Sequence, residues 1–520
     1  MKSFSRNWAI SATLLPLAMT LSHARKPNVV IIMTDQQRAD LTAREGFPLD
    51  LTPFADSMGR AGIWFDRAYT PCPASGPARV SLLTGRFPRV THTDSNHNIA
   101  DAVFTADLFG TARAAGYKTV LVGKNHTYMD RSSADEWIPY NHLGQEKPGK
   151  DTLRPGALSF DRFLGSTSFY ASLEPSPGGL EEQLPYRIVT DALRYADANR
   201  ENPFVMWMSF PEPHNPYQVC EPYFSMFEGR IPPARTDASA QAVKGEKYVQ
   251  LAEMMKLGHK GYDRNLERLR ANYMGMIRLL DDQMRRFYEG MEALGLADDT
   301  VFVILSDHGD YAGEYGLMKK GAGVGDMLTR VPMVWFGAGV TPSGRSDAHV
   351  SLVDVFPTVC ELIGQAIPAG VQGRSLTEIL SGRPYPASEF RSILSESGFG
   401  GQYITAADYD DYVEEGAVGR RGLFFDELNS WSQSGTISMV RMGDWKLVCD
   451  MLGHCELYNL RKDPSEMKNL YGRLRVRKIQ SEMMREMLRW QISTVDPVPY
   501  PRHRYHYKTL PHNYLFSAED

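Results

Sequence analysis

Four short, nearly continuous apolar runs, each ending in charged or imidazole side chains, constrain the fold of this chain more than any other feature. Asn28–Met33, Thr119–Val122, Phe204–Phe210 and Val301–Leu305 are rich in β-branched and large apolar residues. Runs of this length and make-up suit strands buried on both faces of a parallel sheet. The first leads into Thr34-Asp35-Gln36-Gln37 and the second into Gly123-Lys124-Asn125-His126. The third leads into Pro213-His214-Asn215, and the fourth into Ser306-Asp307-His308-Gly309-Asp310. Helical patterns over 105–115, 181–199 and 264–294 lie between them. Strand and helix alternate, which predicts an α/β fold with a mostly parallel central sheet flanked by helices. Such sheets bind ligands beyond the carboxyl ends of their strands, where these side chains would gather.

The remaining chain divides by composition. Residues 25–390 are assigned to the α/β unit. From about residue 391 the pattern becomes short strands, over 437–442, 445–449 and 456–460, with turns at Gly443-Asp444 and Leu452-Gly453. This predicts a small antiparallel subdomain over 391–495, closed by a helix over 476–492. An acidic, Gly-rich stretch over 402–435 is expected to form a long surface loop, and residues 496–520 an irregular tail. Lys2 and Arg6, an uncharged run from Trp8 to Leu21, and Ser22-His23-Ala24 follow the three-part plan of a secretory signal. Residues 1–24 are therefore expected to be removed and the mature chain exported, to the periplasm or outside the cell. No later stretch reaches the roughly 18 apolar residues of a membrane span. The 57 Lys and Arg against 62 Asp and Glu give a net charge of −5, which excludes a chain held to nucleic acid by bulk charge. Five cysteines cannot form a stabilising framework. Cys449 and Cys455, close together in a hairpin pattern, stand either as a disulfide or as two thiols.

The segment Tyr69-Thr-Pro-Cys-Pro-Ala-Ser-Gly-Pro-Ala-Arg-Val-Ser-Leu-Leu-Thr-Gly-Arg86 resembles the signature of the sulfatases: Cys or Ser, any residue, Pro, any residue, Arg, then a helix ending in Thr-Gly-Arg. Ser75, Pro77 and Arg79 fit this pattern; Cys72 does not, because Gly76 stands four residues beyond it. The resemblance implies a serine-type enzyme in which Ser75 becomes formylglycine (3-oxoalanine), hydrated at rest, installed by a sulfatase-maturating enzyme that accepts serine. The chemistry is coherent. A sulfate ester shields its sulfur with negative oxygens, so catalysis needs a nucleophile, cations and an acid for the leaving oxygen. Pro77 suits a helix start, with Ser75 just ahead of it where free N–H groups favour an anion.

Further implications follow residue by residue. Asp35, Gln36, Asp307 and His308, together with the hydrate at Ser75, correspond to the family's site for one divalent cation, usually Ca2+. Gln36 and His308 depart from the more frequent Asp and Asn, and an imidazole ligand leaves Mn2+ open. Related phosphonate monoester and phosphodiester hydrolases resemble this Gln/His version. Asp310 falls outside the ligand set. Gly123-Lys124-Asn125-His126 resembles the Gly-Lys-x-His element, so Lys124 pairs with the sulfate or the hydrate and His126 takes the proton at release. Pro213-His214-Asn215-Pro216 resembles the loop whose His meets the ester, making His214 the acid. Gly316-Leu-Met-Lys-Lys-Gly321 resembles the lysine loop, with Lys320 preferred to Lys319 because it directly precedes Gly321. Arg79 braces the hydrate. Glu456-Leu-Tyr-Asn-Leu through Asp463-Pro-Ser-Glu466 to Leu470 resembles the family's C-terminal signature, a structural element walling the cleft. His92, Asp94, His97 and Asn98 are either sugar contacts or solvated loop residues. The expected activity is sulfuric ester hydrolysis on a sulfated sugar or polysaccharide fragment. The alternatives are a phosphonate monoester or phosphodiester hydrolase, and an inactive carbohydrate-binding relative. No nucleic acid partner is expected.

Overall fold

A computed structural model describes residues 26–167, 170–399, 403, 405, 431–495 and 511–516. The targeting segment expected over 1–24 lies outside them, as does most of the loop expected over 402–435. Nine strands form one sheet: β1 (Asn28–Asp35), β2 (Ile63–Tyr69), β3 (Lys118–Lys124), β4 (Glu136–Asn141), β5 (Gly144–Gln145), β6 (Phe204–Pro213), β7 (Thr300–Ser306), β8 (Met333–Gly337) and β9 (Gly344–Ser351). Their order is β5-β4-β3-β6-β1-β7-β8-β2-β9. Strands β4, β3, β6, β1 and β7 run parallel in sequence across the sheet, whereas β5 and β8 are antiparallel to their neighbours.

Strand β1 shows why the centre is parallel and buried. Val29, Ile31 and Met33 enter the apolar cluster on one face, and Val30 and Ile32 the cluster on the other. Each such side chain contributes about 1.5–3 kcal/mol when fully buried. Helices Leu184–Ala198 and Tyr262–Ala293 cover one face through Ile188, Ala192, Leu280 and Phe287. Helices Ser75–Thr84, Leu108–Ala114 and Val355–Leu362 cover the other through Leu82, Leu83, Phe109 and Val359.

A second, wholly antiparallel sheet has the order β10-β11-β12-β13, with β10 (Ser392–Ser397), β11 (Ile437–Met442), β12 (Trp445–Asp450) and β13 (Cys455–Asn459). Helix Arg477–Ser493 covers it with Met483, Met487 and Trp490, and Tyr69 and Phe87 of the larger unit enter the same cluster. Cys449 and Cys455 face each other across β12 and β13 and form a disulfide.

Several local expectations change. The helix expected to begin near Pro77 begins at Ser75, so Ser75 is its first residue and Ala74 its cap. Within the stretch expected to be surface loop, Trp431 and Ser434 are buried. Within the expected irregular tail, Pro511–Asn513 make a helical turn and Tyr514 packs into the main core. Among the described residues no helix is long and apolar enough to cross a membrane.

Candidate active site

The sheet register brings five strand ends into line. Met33 of β1 pairs with Ser209 of β6, and Gly123 of β3 pairs with the same Ser209. Thr34 pairs with Ser306 of β7, and Lys124 with Tyr140 of β4. The side chains just beyond these pairs share one edge, beside the N-terminus of helix Ser75–Thr84.

Asp35, Asp307 and His308 are fully buried, and one donor atom from each lies within 4.8 Å of the others. Ser75 Oγ stands 3.0 Å from His308 Nε2 and 3.4 Å from each Asp35 carboxylate oxygen. His308 Nδ1 lies 2.9 Å from the Gly309 carbonyl, an acceptor only, so Nδ1 carries the proton and Nε2 turns a lone pair toward the carboxylates. Two carboxylates and one imidazole lone pair converging out of water make a donor set that fits a divalent cation. The nitrogen suits Mn2+ or another transition ion better than Ca2+.

Arg79 braces this cluster from below. Its Nε donates to Asp307 at 2.8 Å, Nη2 to Asp35 at 3.2 Å, and Nη1 to Ser209 Oγ at 2.7 Å. The Lys124 ammonium also donates to Asp35. Burial alone would raise the Asp35 carboxyl, but Lys124 and Arg79 hold it well below the usual carboxylate range. Lys124 in turn is pushed down by burial, to about 8, despite Asp35.

Gln36, expected among the ligands, directly follows Asp35, and its backbone N–H donates to Asp307 at 2.9 Å. Its backbone is left-handed, with φ 70°. Its amide oxygen accepts from Lys320 Nζ at 2.8 Å, and its amide nitrogen donates to Asp310 at 2.7 Å. Asp310, held by the Tyr217 hydroxyl at 2.6 Å, thus sits behind Gln36, and burial raises it to about 6. Of the two loop lysines, Lys320 reaches the site and lies 3.2 Å from His214 Nε2; Lys319 points to His259 instead. His214 Nδ1 donates to the Asn215 carbonyl at 2.7 Å, so its Nε2 accepts from Lys320. His126 borders the group; its Nδ1 is buried without a hydrogen-bond partner among the described residues. Burial and the neighbouring cations hold both His126 and His214 well below the usual imidazole range.

The sequence did not point to His142, whose Nε2 lies 2.8 Å from Lys124 Nζ and whose ring stacks on His214 at 4.0 Å. The available signal was weak: a His in the two-residue turn between β4 and the very short β5. Cys72 is buried and its thiol is pushed up to about 12, so it stays protonated. The 92–98 loop closes over the serine, with Asn96 accepting from the Gly76 N–H at 2.9 Å. A Cβ at Gly76 would meet the tip of the Ile99 side chain at 2.4 Å, so a larger residue here requires that side chain to shift. Asn98 spends its amide on the His92 carbonyl and on Asp94, which gives it a structural part.

Comparison with known proteins places this geometry. The family model described as Sulfatase matches residues 27–365. An arylsulfatase of Clostridium perfringens is 26% identical over 477 residues, covering 86% of this chain and 90% of that protein. An N-acetylglucosamine-6-O-sulfatase of Bacteroides thetaiotaomicron is 24% identical over 555 residues, covering 91% and 89%. Among solved structures, a phosphonate monoester hydrolase of Agrobacterium radiobacter superposes with a TM-score of 0.72 at 22% identity, covering 91% of this chain and 97% of that one.

Proposed function

This chain belongs to the sulfatase family, and from that premise we propose that it hydrolyses a sulfate ester on a sulfated sugar or polysaccharide fragment, using Ser75 as formylglycine. The observation that carries the proposal is the convergence of Ser75 Oγ, the Asp35, Asp307 and His308 donors, and two lysines with neutral histidines on one strand-end edge. The sugar assignment draws on the relative named for N-acetylglucosamine-6-O-sulfatase activity.

In this proposal Asp35, Gln36, Asp307 and His308, with the hydrate at position 75, would hold one divalent cation, which would lower the negative charge on the sulfate oxygens. Formylglycine at position 75 would supply, as its hydrate, one hydroxyl to attack sulfur and a second whose deprotonation expels sulfate. Arg79 keeps both carboxylates aimed. Lys124 and Lys320 bind sulfate oxygens, each held by an acceptor that it can leave when the anion enters. His126, with a free Nδ1, takes the proton at the release step. His214 delivers a proton to the leaving oxygen, drawing on the Lys320 ammonium beside it. Gln36 holds Lys320 in place. The second sheet walls the cleft. Residues 1–24 direct export and are cleaved after Ala24, and a maturating enzyme that accepts serine installs the aldehyde.

A second reading is phosphonate monoester or phosphodiester hydrolysis, favoured by the His308 nitrogen in the donor set. Parallel assays on nitrophenyl sulfate and nitrophenyl phenylphosphonate separate the two. Around the ester, Lys124 and Lys320 each offer a donor to a non-bridging oxygen and the cation would meet the third, so a phenyl group in place of one oxygen would leave one of them unmet. A site built this way discriminates strongly against the analogue that lacks its partner. We expect kcat/KM at least about 100-fold higher for the sulfate; equal or reversed values would move the assignment to phosphonates.

A further inference from the structure

Lys124 ends β3 and His214 directly follows the neighbouring β6, and a side chain from the turn between β4 and β5 joins them. Resting on the function proposed above, we propose that His142 is a positioning residue of this site, fixing both the Lys124 ammonium and the plane of the His214 ring. It does so through two different contacts. Its Nε2 accepts from Lys124 Nζ at 2.8 Å, and its ring lies on His214 with centroids 4.0 Å apart and planes 26° apart.

His142 can do this because its backbone is held rigidly. Asn141 and Gly144 pair across the turn that contains it, and the Leu143 N–H donates to the Asn141 side chain at 2.7 Å. Behind the turn, Asp161 accepts from the Gln145 N–H at 3.2 Å and is fixed by Arg187 at 2.6 Å, both side chains buried. A Cβ at Gly144 would meet the Asp161 carboxyl at 2.2 Å, so the turn closes directly onto that anchor. Strand β4 pairs with β3 up to Lys124↔Tyr140, which delivers His142 two residues later beside the lysine.

The consequence is a belt across the sheet edge: Lys124, His142, His214, Lys320 and Gln36, each touching the next. Lysine carries long, flexible methylenes, and a sulfate oxygen needs its ammonium within hydrogen-bond distance in the transition state. A misplacement of about 1 Å at such a site can cost about 100-fold in rate.

The test separates the two contacts. His142→Gln keeps an acceptor for Lys124 without the ring, and His142→Phe keeps a ring over His214 without the acceptor. On nitrophenyl sulfate we expect His142→Ala to lower kcat about 10- to 100-fold with a smaller change in KM. Each conservative variant should recover part of that loss, at unchanged melting temperature. A crystal structure of His142→Ala should show Lys124 Nζ or the His214 ring displaced. Unchanged kcat in His142→Ala, or equal losses in all three variants with both side chains undisturbed, overturns the proposal. If the wild type turns over no sulfate or phosphonate ester, the functional premise fails, and the crystallographic comparison still decides the role of His142.

Discussion

His214 carries its proton on the nitrogen that does not face the reaction. With Nδ1–H committed to the Asn215 carbonyl, Nε2 presents a lone pair, and burial keeps the ring neutral. Proton delivery to a leaving oxygen therefore needs a supply, and Lys320 stands 3.2 Å from Nε2. Replacing His214 by Ala should slow a sugar sulfate far more than nitrophenyl sulfate, because nitrophenolate leaves without a proton while a sugar alkoxide does not. General acids contribute about 10²–10⁴-fold where the proton is needed. Lys320→Ala should show the same dependence on the leaving group. Equal losses on both substrates would make His214 a sulfate-binding group alone. Comparing kcat/KM across phenols of graded acidity reads the effect directly.

At the scale of elements, the second sheet is tied directly to the lysine loop. Glu466 lies in the Asp-Pro-Ser-Glu turn after β13, and its carboxylate accepts from Lys446 of β12 at 2.9 Å and from the Asp326 N–H at 2.6 Å. Lys446 also donates to the Val324 carbonyl at 2.5 Å. Val324 and Asp326 follow Lys320 by a few residues, so this ion pair ties the lysine loop to the second sheet. Both side chains are almost wholly shielded, at 0% and 2% exposure. Removing one partner leaves a buried charge uncompensated, which costs about 3–5 kcal/mol. Glu466→Ala should lose that much in urea unfolding, whereas a loss below about 1 kcal/mol would mean the pair does not secure the loop. The motif was legible in the sequence; its grip on Lys320 was not, because partner choice between distant segments depends on packing. The same contrast runs through the sheet. Strands β1, β3, β6 and β7 announce themselves as apolar runs because both their faces are buried. Strands β2 and β9 mix charged with apolar residues at the far edge, and β4 carries Pro139 beside a partner of only two residues. His142 was lost with that hairpin. Gln36 was visible, but its left-handed backbone and its side-chain partners Lys320 and Asp310 were not, because they come from a distant loop.

For the whole molecule, the burial of Ser75 fixes when its chemistry can be installed. Ser75 is 1% exposed, and all ten residues of helix Ser75–Thr84 are buried. Arg79 pins that helix to Asp35 and Ser209 on two central strands and to Asp307 directly after a third. Opening an element of this kind approaches the free energy of global unfolding, about 5–15 kcal/mol. The exposed form is then rarer than about one molecule in a thousand. Oxidation of the side chain from CH2OH to CHO removes two electrons and two protons at Cβ, which the modifying enzyme must reach. We therefore expect a serine-accepting maturating enzyme to convert a synthetic peptide spanning 69–86, and the chain before it folds, but not the folded, unmodified protein. Mass spectrometry of the Ser75 peptide reads the loss of two hydrogens in each case. Host dependence follows from the same chemistry. Ser75→Ala should be inactive everywhere, and Ser75→Cys active only where the host's enzyme accepts cysteine. Wild type made in a cysteine-only host should keep its serine and lack turnover, since an unmodified serine has no second hydroxyl with which to expel sulfate. Cys72→Ser should leave the aldehyde intact, because Cys72 lies outside the helix and its thiol stays protonated. Full multiple-turnover activity from protein bearing only unmodified Ser75 would overturn the aldehyde, and conversion of the folded protein at the peptide's rate would overturn the burial constraint.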